Sequence, residues 1–302
     1  MKVRKSSVIM ITLLLLLFEI FVIPLKTYNY ASYIVALLLG LYVIQTKEYC
    51  GKLGYTFLFP LTICATTVLN YGYGNRIVFF AMIFGLTIIE AFYVVSNYIN
   101  RESFGKLMNL LRTFFVFVMV LNDIFCFFGM QFYGRYYLIG SKFRVVYLHC
   151  LVMTLLYSNF RKYKKIRLSL LALYSIIIAQ ITDCSTGIIA VLLVWIMLMF
   201  EDVLVDKVSN VKFIACLWGI VILIYVSLNT ILANPSIQYF ITNILGEDSS
   251  LTGRTRIYSY LTGIIMKKPI WGYGYQSVIV EKVVGFGNAQ NGTIKFLIDY
   301  GA

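Results

Sequence analysis

The sequence predicts an all-α polytopic integral membrane protein, with about ten transmembrane helices and one long extracytoplasmic loop carrying a short amphipathic helix. Three observations predict it. Apolar runs of roughly the 17–25 residues needed to cross a bilayer recur from one end of the 302-residue chain to the other. Charged residues make up 13% of the chain and hydrophobic residues 60%, whereas soluble domains carry about a quarter charged residues. Basic residues, finally, are divided unequally between alternate connections. No soluble domain interrupts the runs, so residues 1–302 read as a single membrane domain.

The first run, residues 8–25, follows Lys2, Arg4 and Lys5. It lacks a small-x-small cleavage site and carries Glu19 near its end, features of an uncleaved span rather than a signal peptide. Further spans fall at about 30–45, 54–70, 77–95, 107–128, 145–160, 166–182, 187–200 and 211–232, and a tenth begins near Thr293. Six cysteines are scattered singly with no CxxC spacing, which points to neither a disulfide framework nor a metal site.

With a cytoplasmic N-terminus, the inner segments hold fifteen basic residues: Lys2, Arg4, Lys5, Lys47, Lys52, Arg101, Lys106, Arg112, Arg161, Lys162, Lys164, Lys165, Arg167, Lys207 and Lys212. The short outer segments hold five: Lys26, Arg76, Arg135, Lys142 and Arg144. This is the positive-inside bias of a multi-pass protein of the cytoplasmic membrane. It assigns the net charge of +13 to topology and anionic inner-leaflet lipid, not to nucleic acid.

The same topology places one long connection, residues 233–292, outside the cell membrane, and long loops are where function concentrates. Ionisable residues within spans are costly in hydrocarbon and are functional candidates by default. Glu19, Asp123, His149 and Asp183 fall in the outer halves of their spans, on the side of the loop, and Glu90 lies toward the inside. Each has a plainer reading. Glu19 and Glu90 pair with an Asn, Tyr or Arg of a neighbouring helix, His149 is a satisfied interior imidazole, and Asp183, in "QITDCSTGIIA", caps a helix.

Within the loop, Ile257, Leu261, Ile264 and Ile265 recur at helical spacing, giving an amphipathic helix from Thr252 whose stripe lies on the membrane surface or on the bundle top. Arg254 and Arg256 fall in its first turn, where the helix dipole disfavours cations. Two readings account for them. Either Glu247 or Asp248 neutralises them, or the free N–H groups and the guanidinium forks form a phosphate or diphosphate site. Pro269 then stops the helix, and Gly272 and Gly274 allow a tight return. Trp271, Tyr273 and Tyr275 are suited to stacking on sugar rings and equally to a membrane interface. The Gly-x-Gly is no dinucleotide fingerprint, since no strand precedes it and a third glycine is absent.

The order of these pieces resembles the O-antigen polymerase and ligase superfamily of bacterial surface-glycan assembly. The resemblance rests on the many-span body, "CSTGIIAVLL" opening a late span, "TGRTRIYSYLTGII", "KPIWGYGYQ" and "NAQNGTIKFLIDYG" entering another span. It covers roughly the last 120 residues by motif and the whole chain by span pattern. Thr252-Gly253-Arg254 stands where the family has a Ser-Gly-Arg-like segment, and Gln290-Asn291 stands where it has a His-Asn pair.

The resemblance implies polymerisation of lipid-linked oligosaccharide repeat units into O-antigen or capsule, by glycosyl transfer from polyprenyl diphosphate. Its expected partners are the polyprenyl-diphosphate-linked glycan, membrane lipid, a chain-length regulator and a flippase. The expected catalytic residues are Arg254, at the leaving diphosphate, and Asp183, as the base; Arg256, Arg135, Arg144, Trp271, Gln290 and Asn291 bind substrate. With no Asp-x-Asp pattern, a metal-independent and cofactor-free reaction is expected.

Two departures shape the reading. Gln290 excludes a histidine base at that position and favours polymerase over ligase activity, and the chain stops at Gly301-Ala302, where the family continues through further spans. Ligation of glycan to another acceptor remains one alternative. A non-catalytic lipid-linked oligosaccharide flippase or transporter is another, although no internal repeat of the kind transporters show is evident. A purely structural membrane subunit leaves the first-turn arginines unexplained.

Overall fold

The structure is a computed structural model that describes residues 5–17, 25–46, 58–72, 78–132, 136–158, 164–208, 210–213, 234–239, 254–285 and 292–301, with a few positions between 216 and 243. Among these residues the chain is helical, with no strand. Among the described residues, two helices are long and apolar enough to cross a membrane, Val78–Glu102 and Phe104–Phe127. Shorter apolar helices cover Lys5–Leu17, Tyr30–Gln45, Leu58–Leu69 and Ser185–Met199.

In chain order the helices are α1 (Lys5–Leu17), α2 (Leu25–Thr46), α3 (Leu58–Leu69), α4 (Val78–Glu102), α5 (Phe104–Phe127), α6 (Lys142–Tyr157), α7 (Lys164–Ile181), α8 (Ser185–Met199) and α9 (Glu201–Val208). They continue as α10 (Pro235–Tyr239), α11 (Arg254–Lys267), α12 (Ile279–Val284) and α13 (Gly292–Tyr300). The expected ninth span, 211–232, lies mostly outside the described residues. The chain divides into two compact units, residues 1–45 with 93–213 and residues 46–92 with 214–302.

In the first unit α6 is the central helix. It packs against α5, α7 and α8, and its buried residues, among them Val145, Val146, His149, Val152 and Met153, cover a broad face, with Arg144, Tyr147, Leu151 and Thr154 on the exposed stripe opposite. Gly187 lets α8 approach closely, because a Cβ there would meet Val146 Cγ2 at 2.6 Å. Residues 182–184 join α7 to α8 as packed antiparallel neighbours, and Ser103 alone, at φ 120, separates α4 from α5. At one end of the α6–α7–α8 group, Lys142 Nζ donates to the Asp183 carbonyl at 2.6 Å. At the other, Lys164 forms an ion pair with Glu201 and lies 3.9 Å from the Tyr157 ring centroid.

In the second unit, Leu261 and Ile264 of α11 bury themselves with Tyr273, Val280 and Val284 and with Ile294 and Ile298 of α13. The described part of the stripe expected from periodicity, Leu261, Ile264 and Ile265, therefore packs on α12 and α13, and the side chain of Ile257 lies outside the described residues. α3 packs on α13, with Phe59 stacked on Phe296 at 5.8 Å between ring centroids. Gly85 faces Pro60, whose Cβ would lie 2.9 Å from a side chain added there.

Candidate functional site

In the second unit, the polar features gather around α11 and the turn after it. The helix starts at Arg254, with Arg254 and Arg256 in its first turn and no acidic residue there. The first N–H groups of an α-helix have no partner within the helix, so this terminus combines such donors with two cations. The side chains of both arginines lie outside the described residues, as do Glu247 and Asp248. The middle of α11 is pinned by its buried stripe and by Tyr273 Oη, which donates to the Ile264 carbonyl at 3.1 Å.

After Lys267 the chain turns sharply. Lys268 Nζ donates to Asn70 Oδ1 of the segment ending α3, and Asn70 Nδ2 donates to the Thr66 carbonyl at 2.8 Å and the Trp271 carbonyl at 3.4 Å. The Gly-x-Gly return docks on the end of α13. Tyr273 N–H donates to Ile298 O at 2.8 Å and Gly274 N–H to Asp299 O at 2.7 Å. Carbonyls in the last turn of a helix need such outside donors. Gly272, at φ +55, is required there, because a Cβ would sit 2.6 Å from the backbone of Asp299.

This packing sorts the three aromatics. Tyr273 is core, and Tyr275 stacks on Phe84 at 5.1 Å between centroids. Trp271, 53% exposed, keeps its ring available.

A cluster that sequence reasoning missed sits beside the turn. Asp299 Oδ1 accepts from Ser277 Oγ at 2.7 Å and Lys295 Nζ at 2.8 Å, and Lys295 also donates to the Ser277 carbonyl at 2.9 Å. Ser277 and Asp299 are buried. The i, i+4 spacing of Lys295 and Asp299 on a helix is the signal that was available.

The first unit holds a different constellation, built from α5, α6 and α7. Asp123 Oδ2 accepts from Tyr174 Oη at 2.6 Å, Asp123 Oδ1 lies 3.0 Å from His149 Nε2, and His149 Nδ1 lies 3.1 Å from Ser175 Oγ. Ser175 Oγ donates its one hydrogen to the Leu171 carbonyl at 2.8 Å. Nδ1 is therefore the donor to Ser175. One proton lies between Nε2 and Asp123, and the pair is neutral overall whichever atom holds it. Asp123, His149 and Ser175 are at most 2% exposed, so His149 is the satisfied interior imidazole. Asn122 Oδ1, on the same helix, is buried without a hydrogen-bond partner among the described residues.

The remaining candidates lie on other segments of the chain. Asp183 is exposed on the α7–α8 turn at φ +50, a conformation asparagine and aspartate tolerate better than most residues. It caps nothing, since the N-cap of α8 is Cys184, which makes no side-chain cap bond. Arg144 is exposed in the first turn of α6. Arg135, Gln290, Asn291 and Glu19 lie outside the described residues. Glu90, expected to pair, is fully buried in α4 with no hydrogen-bond partner among the described residues. No group of three His, Cys, Asp or Glu side chains among the described residues is placed to hold a metal ion. No protein-family model, no curated protein and no solved structure matches the chain.

Proposed function

We propose that this protein is a multi-pass glycosyltransferase of the cytoplasmic membrane. It polymerises lipid-linked oligosaccharide repeat units into O-antigen or capsule on the outer face. The observation that carries the reading is the start of α11: two arginines and no acid in the first turn of a helix, anchored through Leu261 and Ile264. That arrangement suits an anionic leaving group held at a fixed position.

In the reaction, a hydroxyl of the incoming repeat unit attacks the anomeric carbon of the growing glycan. A new C–O bond forms, the bond to the polyprenyl diphosphate breaks, and the acceptor proton passes to a base. Arg254 faces the charge that develops on the diphosphate, with Arg256 supporting it; Arg144 and Arg135 add positive charge. Asp183, exposed on its turn, takes the proton. Exposed Trp271 offers a ring face to sugar, and Gln290 and Asn291 orient hydroxyls. No metal is needed for these roles.

The test is the surface-glycan ladder of a cell lacking the gene, complemented with the chain. Wild type restores a ladder, and Arg254→Ala leaves a single repeat unit although the protein reaches the membrane in normal amount. A normal ladder from well-expressed Arg254→Ala removes the diphosphate role. Lipid-linked oligosaccharide transport is the second reading, favoured by the buried Asp123–His149 pair, a feature found along proton and substrate paths in membrane proteins. Accumulation of repeat units on the inner leaflet of the deletion strain would select it.

A further inference from the structure

Two residues that meet in the first unit stand where local preference disfavours them. α7 ends in a Schellman-type turn, in which Cys184 N–H donates to the Ala179 carbonyl at 2.8 Å and Asp183 N–H to the Gln180 carbonyl at 3.0 Å. Asp183 therefore holds the position just past the helix, at φ +50. Glycine takes that position most often, because it has no Cβ to strain. The Asp183 carboxylate is exposed and makes no hydrogen bond or ion pair among the described residues. The turn gains nothing from an acid there that a glycine would not give.

The second residue is Lys142, the first of α6. No acidic side chain stands in that first turn, and the N-cap Ser141 makes no side-chain cap bond. A cation at a helix N-terminus opposes the helix dipole. Lys142 Nζ nevertheless has a defined task in the fold, since it donates to the Asp183 carbonyl at 2.6 Å across 41 positions of sequence. α6, α7 and α8 all pack on one another, and Thr182 and Cys184, on either side of Asp183, are buried. The main chain that carries Asp183 is thus held on both flanks and at its own carbonyl, while its carboxylate stays in the open. Departures from local preference are expected where a side chain serves a function and its surroundings compensate.

We propose that Lys142 is a positioning residue, which fixes the α7–α8 turn so that the Asp183 carboxylate takes the proton of the attacking hydroxyl. The proposal rests on the glycosyl-transfer reading, in which Asp183 is the base. Lys142 acts through the Asp183 main chain and not on the substrate. The proton passes from the hydroxyl to Asp183 as the new C–O bond forms and the bond to the diphosphate breaks. A displacement of about 1 Å in such a group lowers a rate by up to about 10²-fold.

The experiment uses the purified full chain in proteoliposomes, with lipid-linked repeat units extracted from the deletion strain as the probe. It follows kcat and KM of glycan elongation together with the thermal midpoint. Asp183→Gly is expected to keep a midpoint at or above that of wild type while kcat falls on the order of 10²-fold or more, as for loss of a general base. Lys142→Met is expected to lower kcat about tenfold with KM unchanged. Lys142→Arg, whose guanidinium also donates to a carbonyl, restores it. In an Asp183→Gly background Lys142→Met removes nothing further, whereas a purely structural lysine would lower kcat by the same factor in both backgrounds.

Unimpaired kcat in Lys142→Met, or a full further loss in the double variant, overturns the proposal and leaves the glycan reading standing. A fully active Asp183→Gly overturns it together with the assignment of the base. Absence of elongation by the wild-type chain overturns the glycan reading and this role with it. Should Lys142→Met fail to fold, Lys142→Gln serves instead, with the same outcomes.

Discussion

Replacing His149 with leucine tests whether the buried network of the first unit couples its helices. The substitution leaves Asp123 Oδ1, on a residue 2% exposed, without its partner at 3.0 Å. Leaving a buried polar atom without its partner costs about 1–3 kcal/mol, and more if it carries charge. The reverse change, Asp123→Val, strands two neutral groups, His149 Nε2 and the Tyr174 hydroxyl, at about 1–3 kcal/mol each.

In the double variant only Tyr174 loses its partner, because Ser175 keeps its bond to the Leu171 carbonyl. The double variant should then cost about 1–3 kcal/mol, less than the sum of the singles by roughly 2 kcal/mol or more. Hydrogen bonds measured between membrane helices average nearer 0.6 kcal/mol, so a coupling well above that value marks the ionic character of the pair. The assay is equilibrium unfolding in mixed micelles, with SDS as the denaturant and far-UV circular dichroism as the readout. Additivity of the two single changes within about 0.5 kcal/mol would refute the reasoning.

Other outcomes follow from geometry already described. Gly272→Ala costs more than about 2 kcal/mol, combining the left-handed penalty with overpacking on Asp299. Gly285→Ala, at φ +80 with no described atom within 4 Å, costs only the conformational part of about 1–2 kcal/mol; protease cleavage within residues 268–285 should distinguish the two. The Lys164–Glu201 pair gives stability a pH window. Its hydrogen bond to Lys164 holds the Glu201 carboxyl below 4.5, and the hydrogen bond to Glu201 raises Lys164 above 10.5. The depressed acid contributes above its unfolded value and the contribution is lost as pH falls through the folded one. The raised base contributes below its unfolded value and the contribution is lost as pH rises through the folded one. Both groups are about a third exposed, so the pair is worth under about 1 kcal/mol, and Glu201→Gln should flatten the acid limb of a thermal-midpoint profile without altering the plateau by more. In the glycan assay Arg254→Lys should fail nearly as completely as Arg254→Ala, since a lysine has no planar fork; full activity would argue for simple charge.

Local pattern made much of the fold legible. The apolar runs set α2 through α8 within a few residues of where they lie, because helix extent follows local apolarity once a bundle is available. α4 is an instructive excess: it runs to Glu102, beyond the apolar stretch, because the polar last turns pack with Ser6 and Ser7 of α1. In the loop, the spacing of Leu261 and Ile264 and the break at Pro269 were readable in sequence. What covers that stripe was not, since α12 has only six residues and carries little periodic signal. Partnerships were the least legible level. Asp123 meets Tyr174 across 51 positions, and no one-dimensional pattern specifies which carboxylate a buried hydroxyl will find.

The joint between the Gly-x-Gly turn and α13 is made by main-chain atoms, Tyr273 and Gly274 N–H to the Ile298 and Asp299 carbonyls. Its demand on side chains is nearly nil: a hydrogen in place of Cβ at residue 272, and another at Gly301, where a Cβ would strike the Ile270 carbonyl. Two glycines carry very little information. An ancestor's joint of this kind can survive the exchange of every apolar residue around it, so kinship among such chains is better sought in the spacing of their glycines relative to helix ends than in residue identity.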